Sequence, residues 1–252
     1  MKKLLLHVPH SSTVIPIKDG FINDPLKIEN ELLKLTDWYT DELFYSANDT
    51  MIKAPFSRIF CDVERFENEE DEVMAQYGMG AVYTHCDNGE LLRDVTPTLR
   101  NKIIDSYYWN HHNKFTVAVE NELETYGNCL IVDCHSYPSK PITRDLDQTI
   151  ERPDFNIGID AYHTPQELID NSILFFEKRG YSLGIDWPYS GTIVPMAFYK
   201  KNPNVHSIML EINRKLYLQD SSNKKTKQFA AIQQIVTQYL EMLKENINSK
   251  NL

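Results

Sequence analysis

The stretch LIVDCHSYP, residues 130–138, opens with three apolar residues, Leu130, Ile131 and Val132, and closes on an acid, a histidine and a serine. A short apolar run of this kind reads as a strand buried on both faces. Asp133 and His135 are costly to bury without partners. The far end of this strand must therefore meet something polar. Upstream, residues 97–126 read as one long helix, opened by Thr96 and Pro97 and closed at Gly127. Downstream, strands are expected at 155–159, 181–185 and 206–212. Helices are expected at 165–179, stopped by Gly180, and at 225–248.

The N-terminal half extends the pattern. Residues 4–8 read as a strand, and 25–47 as a helix capped by Asp24 with Pro25 in its first turn. Strands are expected at 51–54, 58–62 and 81–85, and a loop across the acidic stretch 67–74. Strand and helix alternate. That order predicts an α/β layer fold, with a mostly parallel sheet, helices on both faces, and residues 1–252 in one domain. In such folds the site lies at the carboxyl ends of the strands, where Asp133 and His135 stand.

The chain has 252 residues, 42% apolar and 25% charged, the balance of an ordinary globular protein with a sizeable core. Its net charge of −10 argues against a nucleic-acid partner, and Lys224, Lys225 and Lys227 form the one obvious basic cluster. No apolar run could span a bilayer. The start, MKKLLL, is too short in its apolar part for a signal peptide, so a cytoplasmic protein is expected. The four cysteines form no CxxC pair and suggest reduced thiols.

Other strand ends carry polar groups too. HVPHSS brings His7, His10, Ser11 and Ser12. SRIFCDVERF brings Arg58, Asp62, Glu64 and Arg65. MLEINR brings Glu211, Asn213 and Arg214. Asp37 and Asp41 fall one helical turn apart. These groups suggest one polar cleft. Imidazoles with carboxylates suit Zn²⁺ held by three protein ligands. His10 and His135 are the expected ligands, with Asp133 orienting the ring of His135. Asp37 is the expected third ligand and His7 its competitor, while His85, His111 and His163 read as ordinary core or surface histidines. Glu211, flanked by apolar residues, is either a general base or a buried partner of Arg65 or Arg214. Arg58, Arg65 and Arg214 offer forks for a substrate carboxylate, or else pair with nearby acids. Ser136 and Asn213 complete the expected substrate-binding set.

Taken in order, PHS at 9–11, Asp37-Trp38, SRIFCDVER, YYWNHH, DCHS, DFNIG and LEINRKLY make the sequence resemble the N-formylglutamate amidohydrolase family. The resemblance implies a three-layer, zinc-peptidase-like α/β fold and hydrolysis of a linear amide C–N bond in an N-acylated amino acid such as N-formylglutamate. It implies one zinc per chain on His10 and His135, Arg65 gripping a substrate carboxylate, and Glu211 as catalytic glutamate. The sequence departs from the family pattern in three places. Glu64 stands where Asn is usual, His7 where a small residue is common, and residues 188–199 lack an expected Arg-His pair. Two other function classes compete: a binding protein for an acidic metabolite built on a hydrolase scaffold, and a cysteine hydrolase using Cys134. The second suffers because neighbours on a strand face opposite ways.

Overall fold

The computed structural model describes residues 2–249. Its strands are β1 (Leu4–Val8), β2 (Thr50–Lys53), β3 (Cys129–Tyr137), β4 (Phe155–Gly158), β5 (Leu183–Ile185) and β6 (Val205–Asn213). The helices are α1 (Pro25–Leu35), α2 (Thr40–Leu43), α3 (Pro97–Ile103), α4 (Trp109–Tyr126), α5 (Gln166–Glu177) and α6 (Phe229–Ser249). The strands form one mixed sheet in the order β2-β1-β3-β6-β4-β5, parallel throughout except where β4 runs against β6. The fold is therefore α/β, as the alternation predicts.

Strand alternation sorts the sheet's residues between its two faces. Leu4, Leu6 and Val8 of β1, Leu130, Val132 and Cys134 of β3, and Ile208, Leu210 and Ile212 of β6 share the apolar core under α5 and α6. Each such side chain, buried to 1% exposure or less, contributes about 1.5–3 kcal/mol. Leu5, Cys129, Ile131 and Val205 face the other way, against Phe115 and Val119 of α4. His7 belongs to that second face and stacks on Phe115 at 4.6 Å. The α4 side is apolar at the start of the strands and polar at their carboxyl ends.

The expected helix over 97–126 is present, with a π-helical turn at Ile104–Tyr108 joining α3 to α4. There the Tyr107 ring meets Phe56 and Phe60 edge-on, and the Tyr108 hydroxyl donates to the Arg65 carbonyl at 2.8 Å. Gly127, at φ +77°, ends the helix in the left-handed conformation that glycine adopts without strain.

Three expectations fail. The helix expected over 25–47 stops at Leu35 because Thr36 turns extended and the Asp37 N–H donates to the His10 carbonyl, 3.0 Å away. The chain resumes as the short α2 only after Tyr39 at φ +64°. Asp37 is therefore a turn residue beside β1, and Asp41 is not its partner but pairs with Lys53 at 2.8 Å. The strand expected at 58–62 is a turn closed by Phe60 and Cys61 N–H groups on the Ser57 carbonyl. Residues 81–85 form no strand and make only an isolated bridge, His85 to Leu91. Both segments carry apolar residues because they fill satellite clusters around Phe60, Val82, Ile59 and Tyr83, not because they join the sheet. Among the described residues no helix is long and apolar enough to cross a membrane.

Candidate active site

The carboxyl ends of β1, β3 and β6 open into a cavity of about 560 Å³. His10 follows β1 by two residues and is 1% exposed. Its Nε2 lies 2.8 Å from Asp62 Oδ1. Burial opposes ionisation of Asp62, yet the charge of Arg58 and the contacts of His10 hold its carboxyl well below the usual range. Asp62 is therefore an acceptor, and His10 donates to it from Nε2. His10 Nδ1 is then buried with no hydrogen-bond partner, 3.7 Å from Asp37 Oδ2.

His135 stands on β3 facing the same point. Its Nδ1 lies 3.0 Å from Asp37 Oδ2, and its Nε2 lies 3.1 Å from both Asp133 Oδ1 and Glu64 Oε2. Burial works against a charged ring here. The carboxylates of Glu64, Asp133 and Asp37 outweigh it and raise the pKa of His135 well above normal. Asp37 shows the converse. Burial opposes its charge, but the neighbouring His10 and His135 rings hold it below the ordinary carboxylate range. Arg214 Nη2 anchors its other oxygen at 2.9 Å. His10, Asp37 and His135 thus present donor atoms within 4.8 Å of one another.

This set fits a zinc-like cation in chemistry and in shape. It offers two imidazole nitrogens and one carboxylate oxygen, the donor types zinc prefers. One nitrogen has no other use, and each histidine is oriented from behind by an aspartate, Asp62 or Asp133. The pairing expected for Asp133 with His135 is present. His7 does not join this set. Its Nδ1 faces Asp133 Oδ1 at 2.9 Å and Glu64 Oε1 at 3.6 Å.

Glu211 lies opposite His135 in the β3–β6 register and is 7% exposed. Its Oε2 has no hydrogen-bond partner, and burial pushes its pKa up to about 8. Arg65 borders the same cavity; its Nε makes no hydrogen bond, and its guanidinium pairs loosely with Asp62 and Glu72, each at 3.6 Å. Arg58 and Arg214 also border the cavity, but with donors engaged. Arg58 forks onto Asp62 Oδ2 at 2.9 and 3.1 Å. Arg214 binds Asp37, the Ser136 hydroxyl and carbonyl, and the Lys34 carbonyl. Asn213 corrects the expected binding set. It is fully buried, with its amide donating to the Pro153 carbonyl and accepting from the Lys215 N–H. It caps the turn after β6 and does not reach the cavity.

The departing stretch at 188–199 forms one wall. Tyr189, Thr192, Ile193 and Met196 line the cavity, and the Ile193 N–H donates to Asp133 Oδ2 at 3.2 Å. Gly158 holds that wall close, since a Cβ there would stand 1.9 Å from the Gly191 carbonyl oxygen. Nothing in the sequence marks Glu64 as a neighbour of the His7 and His135 rings, or His111 as the residue whose Nε2 lies 2.9 Å from His7 Nε2. A histidine pair on a helix gives no sign in sequence of which strand it will meet.

Cys134 faces the opposite core. It is fully buried, its thiol donates to the Val132 carbonyl at 3.1 Å, and burial raises its pKa. A cysteine–histidine mechanism has no geometry here. Cys134→Ser is expected to leave kcat within about threefold, because the change alters only a core contact on the far face; steady-state assay against the parent checks it.

A family model described as N-formylglutamate amidohydrolase matches residues 2–218. The chain belongs to this family. A crystal structure of N-formylglutamate amidohydrolase from Ralstonia eutropha JMP134 superposes with a TM-score of 0.86 at 21% identity, covering 99% of this chain and 96% of that one. A gene product of Agrobacterium tumefaciens superposes at 0.59 and 16% identity, covering 96% and 90%. At those identities the likeness shows a shared fold. Among curated proteins none matches the chain. Membership of the amidohydrolase family accords with a cavity that joins a histidine–carboxylate triad to a buried, unpaired glutamate.

Proposed function

We propose that this family member hydrolyses the amide bond of an N-acylated amino acid, N-formylglutamate being the leading substrate, with zinc held by His10, Asp37 and His135. The observation that carries this reading is the buried, partnerless His10 Nδ1 facing Asp37 and His135, with the Glu211 carboxyl, its Oε2 also without a partner, beside them. A zinc ion held by these three residues would supply Lewis acidity towards the scissile carbonyl and the attacking water. Glu211 takes the proton of the attacking water and returns it to the departing amine. A base in this role works best with a pKa near the working pH, and desolvation has already moved Glu211 in that direction. Arg65, held by Asp62 and Glu72 only at 3.6 Å, binds the substrate carboxylate. Ser136 and Arg214 hold Asp37 in place and border the acyl-amino-acid pocket, while Arg58 fixes Asp62 behind His10.

The test couples metal content to turnover. The purified chain is expected to release formate from N-formylglutamate and to lose that activity after chelation, recovering it with added zinc. His10→Ala is expected to hold one zinc fewer per chain and to be inactive, with an unchanged circular dichroism spectrum. Full activity in a chelated, zinc-free sample would remove the zinc mechanism. Binding of acyl amino acids without turnover, zinc present, would turn the protein into a sensor of acidic metabolites.

A further inference from the structure

We propose that the site holds a second divalent cation, of the zinc type, on His7, Glu64 and Asp133. These residues form a separate cluster whose donor atoms also lie within 4.8 Å of one another. The spacing repeats that of the first set. His7 Nδ1 stands 2.9 Å from Asp133 Oδ1 and 3.6 Å from Glu64 Oε1. In the first set His135 Nδ1 and His10 Nδ1 stand 3.0 and 3.7 Å from Asp37 Oδ2. Donors about 2.0–2.2 Å from a tetrahedral ion lie roughly 3.3–3.6 Å apart, so both sets bracket that edge.

Two further observations support a cation at this place. Glu64 and Asp133 are adjacent carboxylates, both 3.1 Å from His135 Nε2. Among the described residues, the cationic partners within salt-bridge distance of either one are imidazoles, with no lysine or arginine. The other acids nearby are answered: Asp62 by Arg58, Asp37 by Arg214. His135 Nε2 is a donor shared by both, and a cation joining them would relieve the repulsion of two adjacent carboxylates that only imidazoles balance.

The second observation is how His7 is held. Its Nδ1 points at the carboxylates while its Nε2 is fixed by His111 Nε2 at 2.9 Å, and its ring is stacked on Phe115. His10 is arranged alike, Nδ1 inward and Nε2 on Asp62. An inward nitrogen with the outer one tied down is how metal-binding histidines are oriented. Glu64 and Asp133 border the cavity and give the ion a way in. His135 then lies between the two cations, Nδ1 towards one and Nε2 towards the carboxylates of the other.

Stoichiometry decides the matter, and separately from the hydrolase reading. The full-length chain is stripped with chelator, dialysed against Zn²⁺, and its bound zinc counted by elemental mass spectrometry. Two ions per chain are expected in the parent, and one in each of His7→Gln, Glu64→Gln and His10→Ala. Circular dichroism establishes that each variant is folded, and Glu64→Gln, at a side chain 19% exposed on the cavity wall, is the change least bound up with the core. Saturation of the parent at one ion, lost only in His10→Ala, would overturn the second site and leave the first intact. Two ions retained in both His7→Gln and Glu64→Gln would overturn it equally.

Discussion

Glu211→Gln is expected to lower kcat by about 10²–10⁴-fold while zinc content stays at the parent level. Glutamine keeps the shape of the side chain and its place beside His135 on β6, but it cannot take a proton. KM should change little, because substrate is gripped elsewhere, by Arg65. A variant that lost metal as well as rate would show instead that Glu211 only supports the ligands. The same substitution carries a signature in stability. In the metal-free protein the Glu211 carboxyl has a folded pKa of about 8, above the value near 4.5 that it takes when exposed. The folded state then binds the proton more tightly than the unfolded state. The stability it contributes is complete below about pH 4.5 and is lost as pH rises towards 8, a change on the order of a few kcal/mol. Glu211→Gln removes that slope. Urea melts of the chelated parent and variant should agree at pH 5, and the variant should be the more stable at pH 8. Parallel curves across the range would mean the carboxyl is already ionised in the fold.

Asp62→Asn is expected to destabilise the protein by about 3–5 kcal/mol, since it leaves the Arg58 guanidinium buried beside a neutral amide. For a chain of this size that lowers the melting midpoint by on the order of 10 °C. Asp62 is fully buried and accepts from Arg58, the Tyr83 hydroxyl, the Glu64 N–H and His10 Nε2. Zinc affinity should fall by about 10–100-fold as well, because His10 loses the carboxylate that fixes its ring. Pairing with Arg58→Met separates the two effects. The double variant should regain much of the stability, the unpaired charge being gone, and should not regain the metal affinity. Recovery of both would place the role of Asp62 in packing alone.

Most of the sheet was readable because its strands are apolar runs too short for helices. LIVDCHSYP, LLLHV and the run ending in Glu211 need no tertiary information to be read as buried strands with polar ends. The segments at 58–62 and 81–85 carry similar apolar residues yet form turns and satellite clusters, because apolar content reports burial and not hydrogen-bond pairing. The break at Thr36 was hidden for a related reason. Residues 25–47 keep a helical rhythm through the gap, and the bond that stops the helix, Asp37 N–H to the His10 carbonyl, joins residues 27 positions apart. That break makes Asp37 a neighbour of His10.

The site divides along the same line. Sequence alone determined which side chains could be costly enough to bury that they must serve a purpose: His10, Asp37, Asp133, His135 and Glu211 each end or adjoin an apolar run. It also determined, by the order of its motifs, the family. Only the tertiary structure decided which of these meet. Strand parity sends His135 and Glu211 into the cavity and Cys134 into the opposite core. The turn at Thr36 delivers Asp37, Asp62 comes from a loop, and His111 arrives from α4 beneath His7. Donor atoms a few ångströms apart are set by packing between elements distant in the chain, and no local pattern of residues records that distance.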